Sequence, residues 1–579
     1  MKKWFLVSLV IILILFPLSL ATDNEEYHLK LLAVQENADG YKGSEADLYL
    51  ELKEGSGRVF LDTYPLTKLD TQISTRFAKQ LACKHFDLNC EEYDFIYTIR
   101  SGSSIIGGPS AGAAIAALTT IAVLDLDYDK DIAITGTINS GGIIGPVGGV
   151  KEKLEAASKI GLNKVLVSIG NSRYQKDNET ELDLIEYSKS NLSLEVKEIM
   201  NIDEALFDLT GKQLNHKNVS VQQNKDYQKI MQSLQELLCE RTNKIKEDIG
   251  NKNIEINENS SQLYQERLNK SSIAIEQKDY YSAASFCFSN NILLRNEYYL
   301  GQEMKLNEME NLVNILNKKV LALEKKIEQE KITTISDLQT LIVVKERIND
   351  VKEQTKLFNS SKEIKEQSYL LAYAEERFYS ALAWMQFFSM EGKQFIVNKE
   401  SLKSSCYTKI AEAEERYQYV SLFLDSNIIL HIQDKITLSK ESLSKEEYEL
   451  CLIKASQGKA EANAILSSFG VNEDNILTYV ESKKNAVERI IFENSKEGIF
   501  PILGYSYYQY ADSLKEEEQY TSLVYLEYAL EMSDLGIYFP EEGFKKINFK
   551  VKKEWILFLE GIIVGLLLTY AIVLIKRKK

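Results

Sequence analysis

The sequence predicts an α+β domain, then a long all-α region, then a C-terminal transmembrane helix. Three observations predict this order. Beyond Pro17, the first third holds Pro65, Pro109 and Pro146, and no proline follows until Pro501. Glycine thins over the same interval: between Lys217 and Phe500 only Gly250, Gly301, Gly392, Gly458, Gly470 and Gly498 occur. Both residues disfavour helix interiors, so their scarcity points to helices. Ahead of that interval, short β-rich runs alternate with helical ones. Beyond it, Trp555 to Ile575 carries Glu560 as its single charge, and about 20 apolar residues suffice to cross a bilayer as a helix.

The elements follow in chain order. Met1-Lys2-Lys3 is a positive head, and Trp4 to Leu20 is apolar apart from Ser8 and Ser19. Ser19-Leu20-Ala21 offers the small residues a signal peptidase reads, so residues 1–21 are expected to be a secretory signal or an uncleaved anchor. His28 to Val34, Ala46 to Leu52, Phe95 to Ile99, Asp131 to Ile138 and Asn163 to Ile169 read as strands. Thr71 to Cys83 and Ser110 to Leu124 read as helices. Together they place the α+β domain at residues 26–214.

Residues 222–545 read as helical hairpins with one coiled-coil segment. Leu306, Met309, Val313, Leu316, Val320, Leu323 and Ile327 recur at spacings of three and four. Tyr280 to Leu294, Leu370 to Phe388 and Tyr505 to Met532 are aromatic-rich, a pattern read as core. No clean tetratricopeptide period emerges. The expected role is a stalk or platform that scaffolds or holds a partner. In the transmembrane stretch 555–575, Gly561 and Gly565 form a small-xxx-small pair, read as part of a lipid-facing helix. Lys550, Lys552 and Lys553 on one side and the basic tail 576–579 on the other leave that helix unoriented by itself. The N-terminal signal sets the orientation, with the body outside the cytoplasm and the tail within it.

Composition agrees with export. The formal net charge of −16 argues against nucleic acid as a partner. Asn-x-Ser/Thr sequons occur at Asn178, Asn191, Asn218, Asn259, Asn269 and Asn359. The cysteines fall into local pairs, Cys83 with Cys90, Cys239 with Cys287 and Cys406 with Cys451, a spacing that permits three disulfides among many connectivities. The spacing does not suit zinc: no Cys-x-x-Cys appears, and the only histidines are His28, His85, His216 and His431. Asp125, Asp127 and Asp129 alternate, but the glycine and distal glutamate of a calcium loop are missing, so they read as a solvated acidic turn. No metal or cofactor is expected.

The chemistry concentrates in Gly107-Gly108-Pro109-Ser110-Ala111-Gly112 and in Gly148-Gly149-Val150-Lys151-Glu152-Lys153. Four readings of the first turn compete. It could simply start a helix. It could bind phosphate, but Gly-x-x-x-x-Gly-Lys-Ser/Thr is absent from the sequence. It matches Gly-x-Ser-x-Gly, but that elbow needs a downstream histidine in its own domain, and His216 lies at or beyond the domain's end. His85 precedes the serine and reads as a surface or packing residue. The fourth reading is a serine nucleophile served by a lysine base, which requires burial to lower the lysine pKa.

Around both residues the sequence resembles the proteolytic domain of Lon-type peptidases. The resemblance is carried by Gly108 to Gly112 and its alanine-rich sequel, Ala133-Ile134-Thr135-Gly136-Thr137-Ile138, Gly141, Gly145 to Lys153, Ala156-Ala157 and Asn163 to Val167. It implies Ser110 as nucleophile, Lys153 as base and Thr135 as the residue orienting that lysine, with Gly108 supporting the turn. Lys151 reads as a solvated charge at a helix start. Many Lon enzymes carry an aspartate where this chain has Gly107. The whole resembles membrane-anchored, ATPase-less Lon-domain proteins of archaeal type. The expected function is therefore an ATP-independent, extracytoplasmic, membrane-anchored serine endopeptidase acting on flexible or unfolded polypeptides. The alternative from another class is a non-catalytic surface scaffold with an inactive domain of this kind. Lon-type domains commonly form hexameric rings, so a homo-oligomer is one assembly the resemblance allows.

Overall fold

The computed structural model describes residues 26–37, 40–64, 66–102, 107–177, 180–214, 224–388, 390–421, 424–425, 427–468 and 476–539, with 561, 562, 565 and 569 of the C-terminal stretch. The N-terminal segment 1–21, the sequons at Asn178 and Asn218, His216 and the tail 576–579 lie outside the described residues. So does all of 555–575 except those last four positions, which are helical. No helix among the described residues is long and apolar enough to cross a membrane.

The first domain opens with strands β1 (Tyr27–Asn37), β2 (Gly40–Glu54) and β3 (Val59–Tyr64), helix α1 (Leu69–His85) and strand β4 (Tyr93–Ser101). These strands form one sheet in the order β1-β2-β4-β3, antiparallel except for the β3–β4 pair. Alternation sets its faces: Leu29, Leu31, Leu48 and Leu50 are buried, and Leu29 pairs with Leu48 in register. Next come α2 (Gly112–Leu124), β5 (Ile132–Thr135), β6 (Thr137–Ile138), β7 (Ile144–Gly145), α3 (Val150–Lys159) and β8 (Lys164–Ser168). The hairpin β9 (Arg173–Asp177) and β10 (Thr180–Asp183), the short α4 (Leu184–Tyr187), β11 (Glu195–Ile199) and α5 (Ile202–Thr210) close the domain. β11, β8 and β5 form a parallel sheet in that order.

Helix α2 is apolar on every side and is buried from Gly112 through Ala122, as such a helix must be. It packs between the first sheet and β5, so its N-terminus lies inside the domain next to the end of a parallel strand.

The second region is helical throughout, with α6 (Lys225–Asn251), α7 (Glu258–Glu276), α8 (Tyr280–Gly301), α9 (Leu306–Ile327), α10 (Ile335–Ser360) and α11 (Ile364–Trp384). It continues through α12 (Lys399–Val420), α13 (Leu430–Ser444), α14 (Tyr448–Ser468), α15 (Ile476–Lys496), α16 (Ile502–Leu514) and α17 (Gln519–Ser533). The heptad seam of α9 is buried from Met309 to Ile327, while Leu306 is 44% exposed. That seam packs on α10 and α11, so the expected coiled coil is consumed within the chain. Tyr505 to Met532 divides into two helices at Lys515–Glu518. The aromatic residues do form core: Tyr281 stands edge-on to Trp384 and Tyr507, and Tyr227 packs on Phe387 and Phe500.

All six cysteines are joined, as Cys83–Cys90, Cys239–Cys287 and Cys406–Cys451. The latter two tie α6 to α8 and α12 to α14. The four described sequon asparagines, Asn191, Asn259, Asn269 and Asn359, are exposed. Asp125, Asp127 and Asp129 are exposed as well, and Asp125 accepts a hydrogen bond from the Tyr27 hydroxyl at 2.9 Å.

The helices do not stand apart as a stalk. The described residues from 26 to 539 form one compact unit, and the helical region is locked onto the loop between β6 and β7. Gly141 of that loop faces Ala486, Leu530 and Ile490. Ser140 Oγ donates to Glu531 Oε1 at 3.2 Å, and Glu531 in turn sits in a buried network with Lys409, Lys459 and Glu412. Lys84 pairs with Asp534, and Arg489 with Asp203 at 2.8 Å. His85 is buried and lies 2.8 Å from Asp203, so it is a packing residue of this junction. Breaking one member of such a buried pair strands the other charge, which makes these contacts selective for one docking arrangement.

Candidate active site

The serine turn is shaped by a residue that must be glycine. Gly108 has φ +97° and ψ 153°, a region that side chains essentially exclude. A Cβ there would meet no atom within 4 Å, so the requirement is conformational and not spatial. Pro109, Ser110 and Ala111 then form one 3₁₀ turn running into α2. The N–H groups of Ser110 and Ala111 lie in that first turn, where a helix supplies no internal acceptor. Gly108→Ala should destabilise the protein by about 1–3 kcal/mol. Thermal unfolding checks this.

Two backbone bonds stitch this turn to the end of β5. Gly136 N–H donates to the Ser110 carbonyl at 3.0 Å, and Ala113 N–H donates to the Gly136 carbonyl at 3.1 Å. Thr135, the last residue of β5, is therefore brought beside the serine turn, and it is 1% exposed.

Helix α3 supplies the lysine. Val150, Lys153, Leu154 and Ala157 share its buried face, so an ammonium-bearing side chain replaces an apolar one in the stripe. Lys153 is 3% exposed and Nζ donates to Thr135 Oγ1 at 3.1 Å. Burial pushes its pKa down from 10.5 to about 7, with Glu152 opposing weakly from the same helix. Lys151 points elsewhere, 3.8 Å from Glu155 and 6.0 Å from the centre of the Tyr187 ring.

The structure thus gathers Thr135 and Lys153 directly, and places Ser110 next to Thr135 through Gly136. Among the described residues the Ser110 hydroxyl has no hydrogen-bond partner, and the lysine is held by the threonine. Catalytic hydrogen bonds are often long without substrate and tighten on binding. The arrangement offers a half-buried hydroxyl, a nearby buried amine able to be neutral near pH 7, and backbone donors at a helix start. Those are the parts of acyl transfer.

Lys68 was not visible as a site residue. Its aliphatic stem covers Gly107: a Cβ at 107 would lie 2.7 Å from Lys68 Cδ. The space a side chain would need at 107 is filled from Lys68, the residue just ahead of α1, a long-range pairing that no local motif encodes. Among the described residues no group of three or more histidines, cysteines or carboxylates could hold a metal.

Part of the chain is similar to known proteins. Residues 75–209 match the family model described as the Lon protease (S16) C-terminal proteolytic domain. The chain is 40% identical over 83 residues to a Lon protease of Syntrophomonas wolfei, covering 14% of this chain and 10% of that one. It is 37% identical over 95 residues to a Lon protease of Clostridium beijerinckii, covering 16% and 11%. With a Lon protease of Methanosphaera stadtmanae it shares 33% over 150 residues, covering 25% and 17%. The chain therefore spans less than a fifth of the length of these relatives.

Proposed function

We propose that this protein is a serine endopeptidase in which Ser110 is the nucleophile and Lys153 the base. The observation that carries the reading is the buried Lys153 amine on Thr135, with its pKa lowered to about 7, at the end of the strand stitched to the serine turn. Neutral Lys153 takes the Ser110 proton as Oγ attacks a peptide carbonyl. The tetrahedral oxyanion is held by N–H groups of Ser110 and its neighbours. Lys153 then returns the proton to the departing amine, and water hydrolyses the acyl-enzyme with the same base.

Three further parts belong to this proposal. Cleavage needs no ATP, because the sequence carries no phosphate-loop pattern. The substrates are flexible or unfolded polypeptides, since nothing in such a mechanism dismantles a fold. The body works outside the cytoplasm, tethered by the apolar stretch 555–575, and three disulfides in the structure support an oxidising compartment.

The test is hydrolysis of a permanently unfolded protein, without nucleotide, by the purified chain. Lys151→Ala should keep the rate within about twofold, because Lys151 faces Glu155 and Tyr187 and surface changes of this kind are mild. Loss of activity in that variant would move the base to the wrong lysine. No cleavage under any condition would favour the non-catalytic scaffold.

A further inference from the structure

We propose that the helical region is part of the catalytic apparatus, with Tyr419 as a positioning residue that holds the turn ahead of Lys153 and keeps water from that lysine's helix. This rests on the peptidase reading above for its kinetic consequence, though not for its geometry.

Tyr419 stands near the end of α12, and its hydroxyl accepts a hydrogen bond from the Gly148 N–H. Gly148 immediately precedes Gly149, the residue that launches α3. Gly149 has φ +65°, and a Cβ there would sit 2.4 Å from Val34, so the turn is tightly enclosed on its other side. The Gly149 carbonyl accepts the Lys153 N–H at 3.0 Å, closing the first helical turn. An unbroken line thus runs from the Tyr419 hydroxyl through two glycines to the lysine.

The same helix makes a second grip. Arg416, three residues before Tyr419 and so on the same face, donates Nη2 to the Ile138 carbonyl of β6 at 3.0 Å. β6 follows directly from Thr135 and Gly136. One face of α12 therefore holds both the turn that precedes Lys153 and the strand that follows Thr135.

Packing supports the same assignment. Val150, Leu154 and Ala157, which flank Lys153 on its buried face, share a core with Ala413, Tyr419, Val420, Ile429 and Ile432 of the helical region. Leu32, Ala133, Val165, Val167 and Val196 join it from the sheets. The lysine's dry surroundings are thus built partly from helices outside the domain that carries it. Thr135 on β5 hydrogen-bonds the amine and Glu152 acts on it from the lysine's own helix, while Arg416 on α12 donates Nη2 to the Ile138 carbonyl.

Tyr419→Phe keeps the ring and removes the acceptor, leaving the Gly148 N–H to seek water. The full chain is used, with ¹³C-lysine NMR titration of Lys153 Cε assigned by Lys153→Met, and kcat and KM measured across pH. The expected result is a Lys153 midpoint raised by about one pH unit towards 10.5, and kcat at pH 7 lowered about fivefold with KM unchanged. Tyr538→Phe serves as the control, because it removes a hydroxyl from buried Glu412 in the same helical core without touching α3. It should lower the unfolding temperature and leave the Lys153 titration in place. An unmoved Lys153 midpoint in Tyr419→Phe overturns the proposal, as does an equal movement in Tyr538→Phe. If Ser110→Ala leaves cleavage intact, the peptidase reading falls, while the titration still decides whether α12 governs the lysine.

Discussion

Ser110→Ala should lower nucleotide-free cleavage of an unfolded protein by about 10³-fold or more. Removing a nucleophile leaves only binding and oxyanion stabilisation to act on the substrate. The variant should fold normally. The structural bond made by residue 110 uses its carbonyl, which alanine retains, and the hydroxyl is only half-buried. The unfolding free energy should therefore stay within about 0.5 kcal/mol of the parent. Progress curves and thermal melts on the same preparations check both halves. Residual cleavage above a few per cent of the parent's, in a folded variant, would remove Ser110 from the mechanism.

Lys153→Met should produce two large effects of opposite kind. Cleavage should fall about as far as in Ser110→Ala, because the two groups act as a unit and their losses do not add. Stability should rise. Burial that depresses a lysine from 10.5 to about 7 corresponds to roughly 4–5 kcal/mol at 1.36 kcal/mol per pH unit, an upper bound that relaxation reduces. The sign follows from proton counts. Between about pH 7 and 10.5 the unfolded chain holds a proton at this lysine that the native state has released, so native stability rises with pH across that window. Below pH 7 both states are protonated and the whole cost is felt. The methionine variant should therefore gain most below pH 7 and nothing above 10.5, as read from denaturant midpoints at several pH values. The parent's cleavage should climb through about pH 7, where the base becomes neutral. A methionine variant less stable than the parent at pH 6 would mean that Lys153 is a structural ion, not a desolvated base.

Much of the site was legible because its chemistry is local. Gly108-Pro109-Ser110 and Gly148-Gly149 announce turns, and Lys153 interrupts an apolar stripe at Val150, Leu154 and Ala157. In the sequence, the resemblance to the Lon motif is what selects Lys153 over Lys151, and the structure adds its burial on that stripe. Strands with apolar alternation or apolar runs were also readable, whereas β3, β7, β9, β10 and β11 were not. Glu195-Val196-Lys197-Glu198-Ile199 is mostly charged, and only pairing with β8 makes it a strand. The break between α16 and α17 falls in Lys515-Glu516-Glu517-Glu518, which has neither glycine nor proline to mark it. The α9 heptads were real, but periodicity says that a seam is buried and not by which chain. Docking of the helices was the least visible feature. Lys84 meets Asp534, and Tyr419 meets Gly148, across separations that no spacing rule connects.

The lock between the β6–β7 loop and the last helices also sets a timetable. Ser140 waits for Glu531 and Lys84 for Asp534, so the ribosome delivers these supports 391 and 450 residues after the groups they hold. At about 5–20 residues per second, the interval between Lys153 and Tyr419 alone amounts to roughly 13–50 seconds. During that time the lysine helix has one wall missing, and a wet lysine stays protonated. On the proposed reading, Lys153 should become a base only after Tyr419 has emerged and docked. Stalled chains ending before Tyr419 and after Asp534 would differ in labelling by a serine-directed phosphonate. Such a delay would keep the site from acting on the machinery that makes and moves the chain.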